Sequence, residues 1–174
     1  MKMIKFLTVA VIFAAGICAA WAAPQVIEIK PEQFTLLDGA SLEKNAQGEA
    51  VAVKLVSSSN KRWARAEFTV EFDPEVTYYI LSFRVKAENV ISDMADKHGA
   101  DVLLKPGKGG ALRFSSRGTY KSDSGTFDWQ KAEHRVNVKR YLDVAPVKVQ
   151  LALTYAPGTV WFDQIKLTPV VAKK

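Results

Sequence analysis

The 174-residue sequence predicts an all-β protein, a sandwich of two antiparallel sheets, on three observations. Long runs alternate apolar and polar residues with a period of two. Turns bearing proline or glycine separate those runs. No internal repeat, low-complexity tract or second-domain boundary interrupts their spacing. A period of two is the pattern of a strand that buries one face, and several such strands at even intervals need a second sheet to cover them.

Taken in order, the chain opens with Lys2 and Lys5, an apolar run from Phe6 to Ile17, and Ala20-Trp21-Ala22. This is the layout of a secretory signal peptide, residues 1–22, with cleavage before Ala23. A spanning helix needs about 20 apolar residues, and this run is shorter and ends in small ones. Cys18 does not mark a lipoprotein, because Ile17 stands where a small residue is needed. Residues 23–174 then form a single domain that is periplasmic or secreted and does not insert into a membrane after cleavage. Cys18 is the sole cysteine, so this domain has no disulfide and depends on its hydrophobic core. Its length suits a single domain that buries about 70% of its unfolded surface.

Four runs define the strands. Val51, Val53 and Leu55 alternate with Ala52, Lys54 and Val56. Ala64, Ala66, Phe68, Val70 and Phe72 share one face, opposite Trp63, Arg65, Glu67, Thr69 and Glu71. Tyr79, Leu81, Phe83 and Val85 oppose Tyr78, Ile80, Ser82, Arg84 and Lys86. Val147, Val149, Leu151, Leu153 and Tyr155 oppose Lys148, Gln150, Ala152 and Thr154. Asp73-Pro74, Pro106-Gly107, Gly109-Gly110 and Ala156-Pro157-Gly158 supply the turns, since proline presets φ and glycine permits a positive one. Asn89 to Gly99 reads as a short helix or a longer loop. The last strand, about Thr159 to Thr168, is expected beside or facing an N-terminal strand.

Three segments carry a resemblance. Asp73-Pro74-Glu75-Val76-Thr77-Tyr78-Tyr79-Ile80-Leu81-Ser82-Phe83-Arg84-Val85-Lys86-Ala87 resembles the central strand pair of carbohydrate-binding modules of the family 4/9 type. Phe127-Asp128-Trp129-Gln130-Lys131 is similar to that family's Thr-Trp-Gln-Lys strand opening. Gly158 to Leu167, with Asp163, is similar to its last strand, and the three fall in the family's order. The resemblance implies a galactose-binding-like jelly roll that holds a sugar chain on a sheet face or edge loops. It also implies a structural calcium near the chain ends, with Asp163 close by; Asp38 and Glu28 are candidate partners if the ends meet, and the alternative is that Asp163 caps the preceding turn. The family's Asn-Gly-x-Phe-Glu-like opening is replaced here by Val26-Ile27-Glu28-Ile29-Lys30 and Phe34-Thr35-Leu36-Leu37-Asp38.

Sugar rings present apolar C–H faces, so aromatic planes beside planar polar groups are the pattern that holds them. Trp63 stands on the polar side of its strand with Arg65, and Tyr78 on the polar side of the next with Arg84. If those two strands share a sheet, the four side chains point to one surface, with Gln150 and Lys148 beside them and Tyr120 on a loop as a wall. The alternative reading makes Trp63 and Tyr78 lids at the sandwich edge. Trp129 and Trp161 read as core and His134 as a strand surface residue.

The formal charge is +6, or +4 once Lys2 and Lys5 are removed, and this mild balance points to an acidic polysaccharide before a neutral one. An exported chain without a recognition motif is not a nucleic-acid binder. His98 and His134 are the only histidines, and no Gly-x-Ser-x-Gly, His-Glu-x-x-His or phosphate-loop motif occurs, so the expectation is a binding protein and no enzyme. The competing function is a structural or adhesive sandwich that docks a protein partner in the cell envelope.

Overall fold

The structure is a computed structural model that describes residues 23–170 apart from 95, 140 and 142–145. The expected signal peptide, 1–22, lies outside the described residues. Twelve strands are described: β1 (Ile27–Ile29), β2 (Thr35–Leu36), β3 (Ala40–Lys44), β4 (Ala50–Ser57), β5 (Trp63–Val70), β6 (Tyr78–Val90), β7 (Gly99–Pro106), β8 (Leu112–Ser115), β9 (Gly118–Thr119), β10 (Gly125–Asn137), β11 (Val147–Thr154) and β12 (Gly158–Val170). They form two antiparallel sheets. The first runs β10-β6-β12-β4-β3, with β1 also paired to β12, and the second runs β2-β5-β11-β7-β8-β9. Residues 91–98 form a loop with no helix among those described.

The alternation places the core as expected. Val53 and Leu55 of β4, Leu81, Phe83 and Val85 of β6, and Val160 and Phe162 of β12 face inward from the first sheet. Ala64, Ala66 and Val70 of β5 and Val147, Val149, Leu151 and Leu153 of β11 meet them from the second. Each fully buried aliphatic or aromatic side chain contributes about 1.5–3 kcal/mol, which is how a domain without disulfides is held. The last strand does lie beside an N-terminal one: Ile27, Glu28 and Ile29 pair with Leu167, Lys166 and Ile165.

Four expectations are corrected. The Asp73-Pro74 turn, closed by Val76 N donating to Asp73 O at 3.0 Å, carries the chain from one sheet to the other. β5 and β6 therefore do not share a sheet, and Trp63 and Arg65 lie on the opposite side of the molecule from Tyr78 and Arg84. Trp129 and Trp161 are only half-buried and belong to the outer face of the first sheet. In β12 it is Val160 and Phe162 that enter the core, so parity turns Trp161 outward. A register shift between Phe127 and Gln130 breaks the parity around Trp129. His134 points inward at the sandwich edge, its ring 5.1 Å from Phe114 and 6.0 Å from Phe83, with Nε2 2.8 Å from Ser115 O. Tyr155 leaves the inner face altogether, because its φ of 47° reverses the chain after β11.

Candidate functional site

The outer face of the first sheet is a set of closed pairs. The Arg84 guanidinium binds both oxygens of Asp163 and lies 4.9 Å from the Trp129 ring. That pairing raises the Arg84 pKa above its ordinary value, chiefly through the hydrogen bond to Asp163. Lys54 and Lys86 flank the Trp161 ring at 5.1 and 5.4 Å, and its Nε1 donates to Glu43 at 3.2 Å. Arg135 covers Tyr78 at 4.0 Å. Cation–aromatic pairs of this kind contribute about 0.5–2 kcal/mol each to the fold. Tyr78 and Arg84 are thus engaged within the domain.

The same geometry bears on the calcium that the resemblance implied. Asp163 spends both oxygens on Arg84, Glu28 pairs with Lys166, and Asp38 lies 3.7 Å from Arg65. The Lys166 hydrogen bond holds the Glu28 carboxyl below its ordinary value. Among the described residues no group of three or more His, Cys, Asp or Glu side chains converges, whereas calcium needs six to eight oxygens. The residues around Asp163 do not fit the ion.

The outer face of the second sheet is built differently. Register places Arg65, Ala152 and Asp101 in one row across β5, β11 and β7, and Glu67, Gln150, Leu103 and Arg113 in the next, which continues into β8. Neighbouring strands stand about 4.8 Å apart, so Arg65 and Asp101 start about 10 Å from each other with the small Ala152 between. A third row sets Trp63 opposite Thr154 and Gly99. Asp101, Gln150, Ala152 and Thr154 are 0% exposed and Leu103 4%, although none of them joins the inter-sheet core.

An aromatic wall closes one end. The rings of Trp63 and Tyr155 meet edge-on at 5.4 Å, and Tyr155 lies 5.1 Å from His98, whose Nδ1 is 2.7 Å from Asp93 Oδ1. The left-handed turn at Tyr155 is what brings its ring to this side. A hollow of about 400 Å³ lined by Asp38, Arg62, Trp63 and Arg65 lies beside it. Gly99 fixes the start of β7 in this row: its φ is 139°, and a Cβ there would stand 2.2 Å from Asp123 O. Tyr120, 63% exposed, is at the sheet edge, its N–H bound to Arg113 O at 2.9 Å.

What sets this face apart is its unpaired polar atoms. Trp63 Nε1, Arg65 Nε, Asp101 Oδ1 and both amide atoms of Gln150 are buried without a hydrogen-bond partner. Each buried polar group left so costs about 1–3 kcal/mol. The formal charges, by contrast, are matched: Lys148 binds Glu67 at 2.6 Å, Arg113 Nε is 3.5 Å from Asp101 Oδ2, and Arg65 faces Asp38. Thr154 Oγ1 donates to Asp101 Oδ2 at 3.1 Å, while Oδ1 is bare. Burial pushes the Asp101 carboxyl up to about 7, opposed by Arg113 and by hydrogen bonding from Ser122 and Thr154. Burial also raises Asp123, against hydrogen bonds from Ser116.

Of the residues read from sequence, Trp63, Arg65 and Gln150 meet on one face and Tyr120 stands at its edge, while Tyr78, Arg84 and Asp163 are on the other side. Asp101, Thr154, Tyr155, Arg113 and His98 were missed. The acid inside the apolar run Ala100 to Leu104 was the available signal for Asp101.

No family model matches the chain, and no curated protein matches its sequence. Solved structures do. An apo cyclase from Fischerella sp. is 12% identical with a TM-score of 0.51, over 91% of this chain and 93% of the cyclase. An exo-β-agarase is 14% identical with a TM-score of 0.53, over 87% of this chain and 26% of the agarase. The fold is a jelly-roll β-sandwich. The C-terminal CBM6 of LamC, a marine laminarinase from Zobellia galactanivorans, is also similar, at 16% identity and a TM-score of 0.49, over 83% of this chain and 99% of that one. At such identities a likeness speaks for the jelly roll alone, so the reading of its faces rests on their chemistry.

Proposed function

We propose that this chain is an exported, non-catalytic carbohydrate-binding protein that holds an oligo- or polysaccharide on the outer face of the second sheet. The observation that carries the reading is the juxtaposition of the Trp63–Tyr155 aromatic wall with the hollow lined by Asp38, Arg62 and Arg65. Aromatic planes take the C–H faces of a sugar, and amide, guanidinium and carboxyl groups take its hydroxyls. A hydroxyl both donates and accepts, which suits a hollow lined by guanidinium donors, Arg62 and Arg65, and a carboxylate acceptor, Asp38. The hollow beside Trp63 sets Arg62 and Arg65 against the single acid Asp38, an excess of one cation that favours an acidic sugar over a neutral one.

The solved-structure likenesses to carbohydrate-binding modules agree with this reading but do not carry it. A glycan array with the 23–174 chain tests it, with Trp63→Ala as the partner measurement. The variant is expected to lose affinity by about 1–3 kcal/mol, the scale of an aromatic hot spot, with cooperative unfolding retained. Equal binding by the variant, or an array without a hit, refutes the site.

A further inference from the structure

A second hollow opens at the same end of the sandwich as the Trp63 hollow. It holds about 350 Å³ and is lined by Ser58, Ser59 and Asn60 of the β4–β5 loop, Ile91 and Asp93 of the β6–β7 loop, and Pro157 of the β11–β12 turn. The two hollows are joined side chain to side chain. Trp63, which lines the first, meets Tyr155; Tyr155 meets His98; and His98 binds Asp93, which lines the second. Tyr155, 40% exposed, stands between them.

The walls of the second hollow are fixed by the backbone. Ile91 N donates to Pro157 O at 3.0 Å, which ties the β6–β7 loop to the turn. Lys61 N donates to Ser59 Oγ at 3.1 Å, and Lys97 N and His98 N both donate to Met94 O, at 2.7 and 3.0 Å. Gly158 lets β12 start hard against β6, where a Cβ would stand 2.7 Å from Asn89 O. Loops held in this way nevertheless keep Ile91 68% exposed. An apolar side chain among hydroxyl and amide groups is a lining that takes a sugar ring, and fixed walls lose little freedom when it arrives. The two hollows differ in charge. The first sets Arg62 and Arg65 against Asp38. Among the described residues the lining of the second has no cation and one acid, Asp93. A sugar carboxylate held about 5 Å from that acid loses affinity by about three- to tenfold.

We propose that the ligand is a mixed chain that crosses Tyr155, with an acidic unit against Arg62 and Arg65 in the Trp63 hollow and a neutral unit against Ile91 and Asn60 in the second, where Asp93 turns away a further acid. The inference rests on the sugar-binding reading above and adds to it a second subsite, a minimum length and a specificity-determining carboxylate.

The test is titration calorimetry of the 23–174 chain. The probes are a hexasaccharide of alternating glucuronate and N-acetylglucosamine, its disaccharide, hexagalacturonate, and the highest-scoring glycan of the array. The alternating hexasaccharide is expected to bind at least tenfold more tightly than the disaccharide. Ile91→Ala, at an exposed position and with an unchanged Tm, is expected to weaken the hexasaccharide about five- to tenfold and leave the disaccharide as it was. Asn60→Ala acts in the same direction. Asp93→Asn is expected to raise hexagalacturonate affinity about three- to tenfold and to change that of the alternating chain by less than twofold. If Ile91→Ala and Asn60→Ala bind the hexasaccharide like the wild type while Trp63→Ala is impaired, the second subsite is overturned and the Trp63 site stands. Array hits confined to homopolymers of uronic acid, or Asp93→Asn without effect on hexagalacturonate, overturn the mixed chain. Binding that Trp63→Ala leaves intact, or no binding at all, removes the site and the inference together.

Discussion

Gln150→Leu is expected to make the domain more stable. The side chain sits on β11 between Glu67 and Leu103, fully buried, with Oε1 and Nε2 both without a partner. Leucine has a similar volume and keeps company with Leu103 and Ala152 on that face. The substitution removes one unsatisfied amide, about 1–3 kcal/mol on the scale of protein mutations, and replaces it with apolar surface that gains from burial. A net gain of about 1–3 kcal/mol follows, which for a domain near 150 residues raises Tm by roughly 3–10 °C. Differential scanning calorimetry, backed by urea unfolding with an unchanged m-value, reads the effect. A lower Tm for Gln150→Leu refutes the reasoning. It means that the amide is satisfied in solution by an ordered water, as buried polar groups often are.

Two further expectations concern charges. The Asp101 carboxyl is raised from 3.8 to about 7, so the folded state keeps a proton that the unfolded chain has lost. Its effect is absent below about pH 4, grows as pH rises through 7, and levels off above, amounting to about 4 kcal/mol of lost stability; Asp101→Asn flattens that slope in urea unfolding between pH 4 and 8. On the opposite sheet, Asp163→Asn breaks the bidentate pair with Arg84 and uncovers the charge beside Trp129, and since Arg84 is 36% exposed a loss of about 1–2 kcal/mol is expected by calorimetry. The same variant leaves glycan affinity unchanged, and a chelator leaves the wild-type Tm where it was; reduced glycan binding in Asp163→Asn returns the site to the first sheet.

The strands were legible because burial writes a period of two into β5, β6 and β11, and the inward residues of all three fall where the alternation puts them. Parity within a strand does not say which sheet the strand joins. That is settled by long-range pairing, so Trp63 and Tyr78, close in sequence across the Asp73-Pro74 turn, separated to opposite faces. Tyr155 was lost at a strand end, where alternation was extended one residue past the point at which φ changes sign. Trp161 was available from parity alone, since Val160 and Phe162 are the apolar pair of that strand. Trp129 was not, because the irregular register around it is a backbone event without a sequence mark. Asp101 stood in an apolar run that reads as core on both sides, and only the structure shows that β7 has an outer face covered by its own neighbours.

The pairing of β1 along the end of β12 has a practical consequence for how the molecule is presented. Pro24 and Val170 line one hollow with Tyr78, so the two ends of the described chain leave together, at the end of the sandwich remote from Trp63 and Tyr155. A tether at either end holds the aromatic wall outward, toward whatever lies in front of it. A short linker from 170 to 23 closes the chain into a ring, and the open turn at Gly109-Gly110, where an added Cβ meets nothing within 4 Å, is the place to cut it again. Such a permuted chain keeps every strand pairing described and keeps its new ends at the end remote from Trp63, since Pro106 pairs with Val147 and Val147 with Val70.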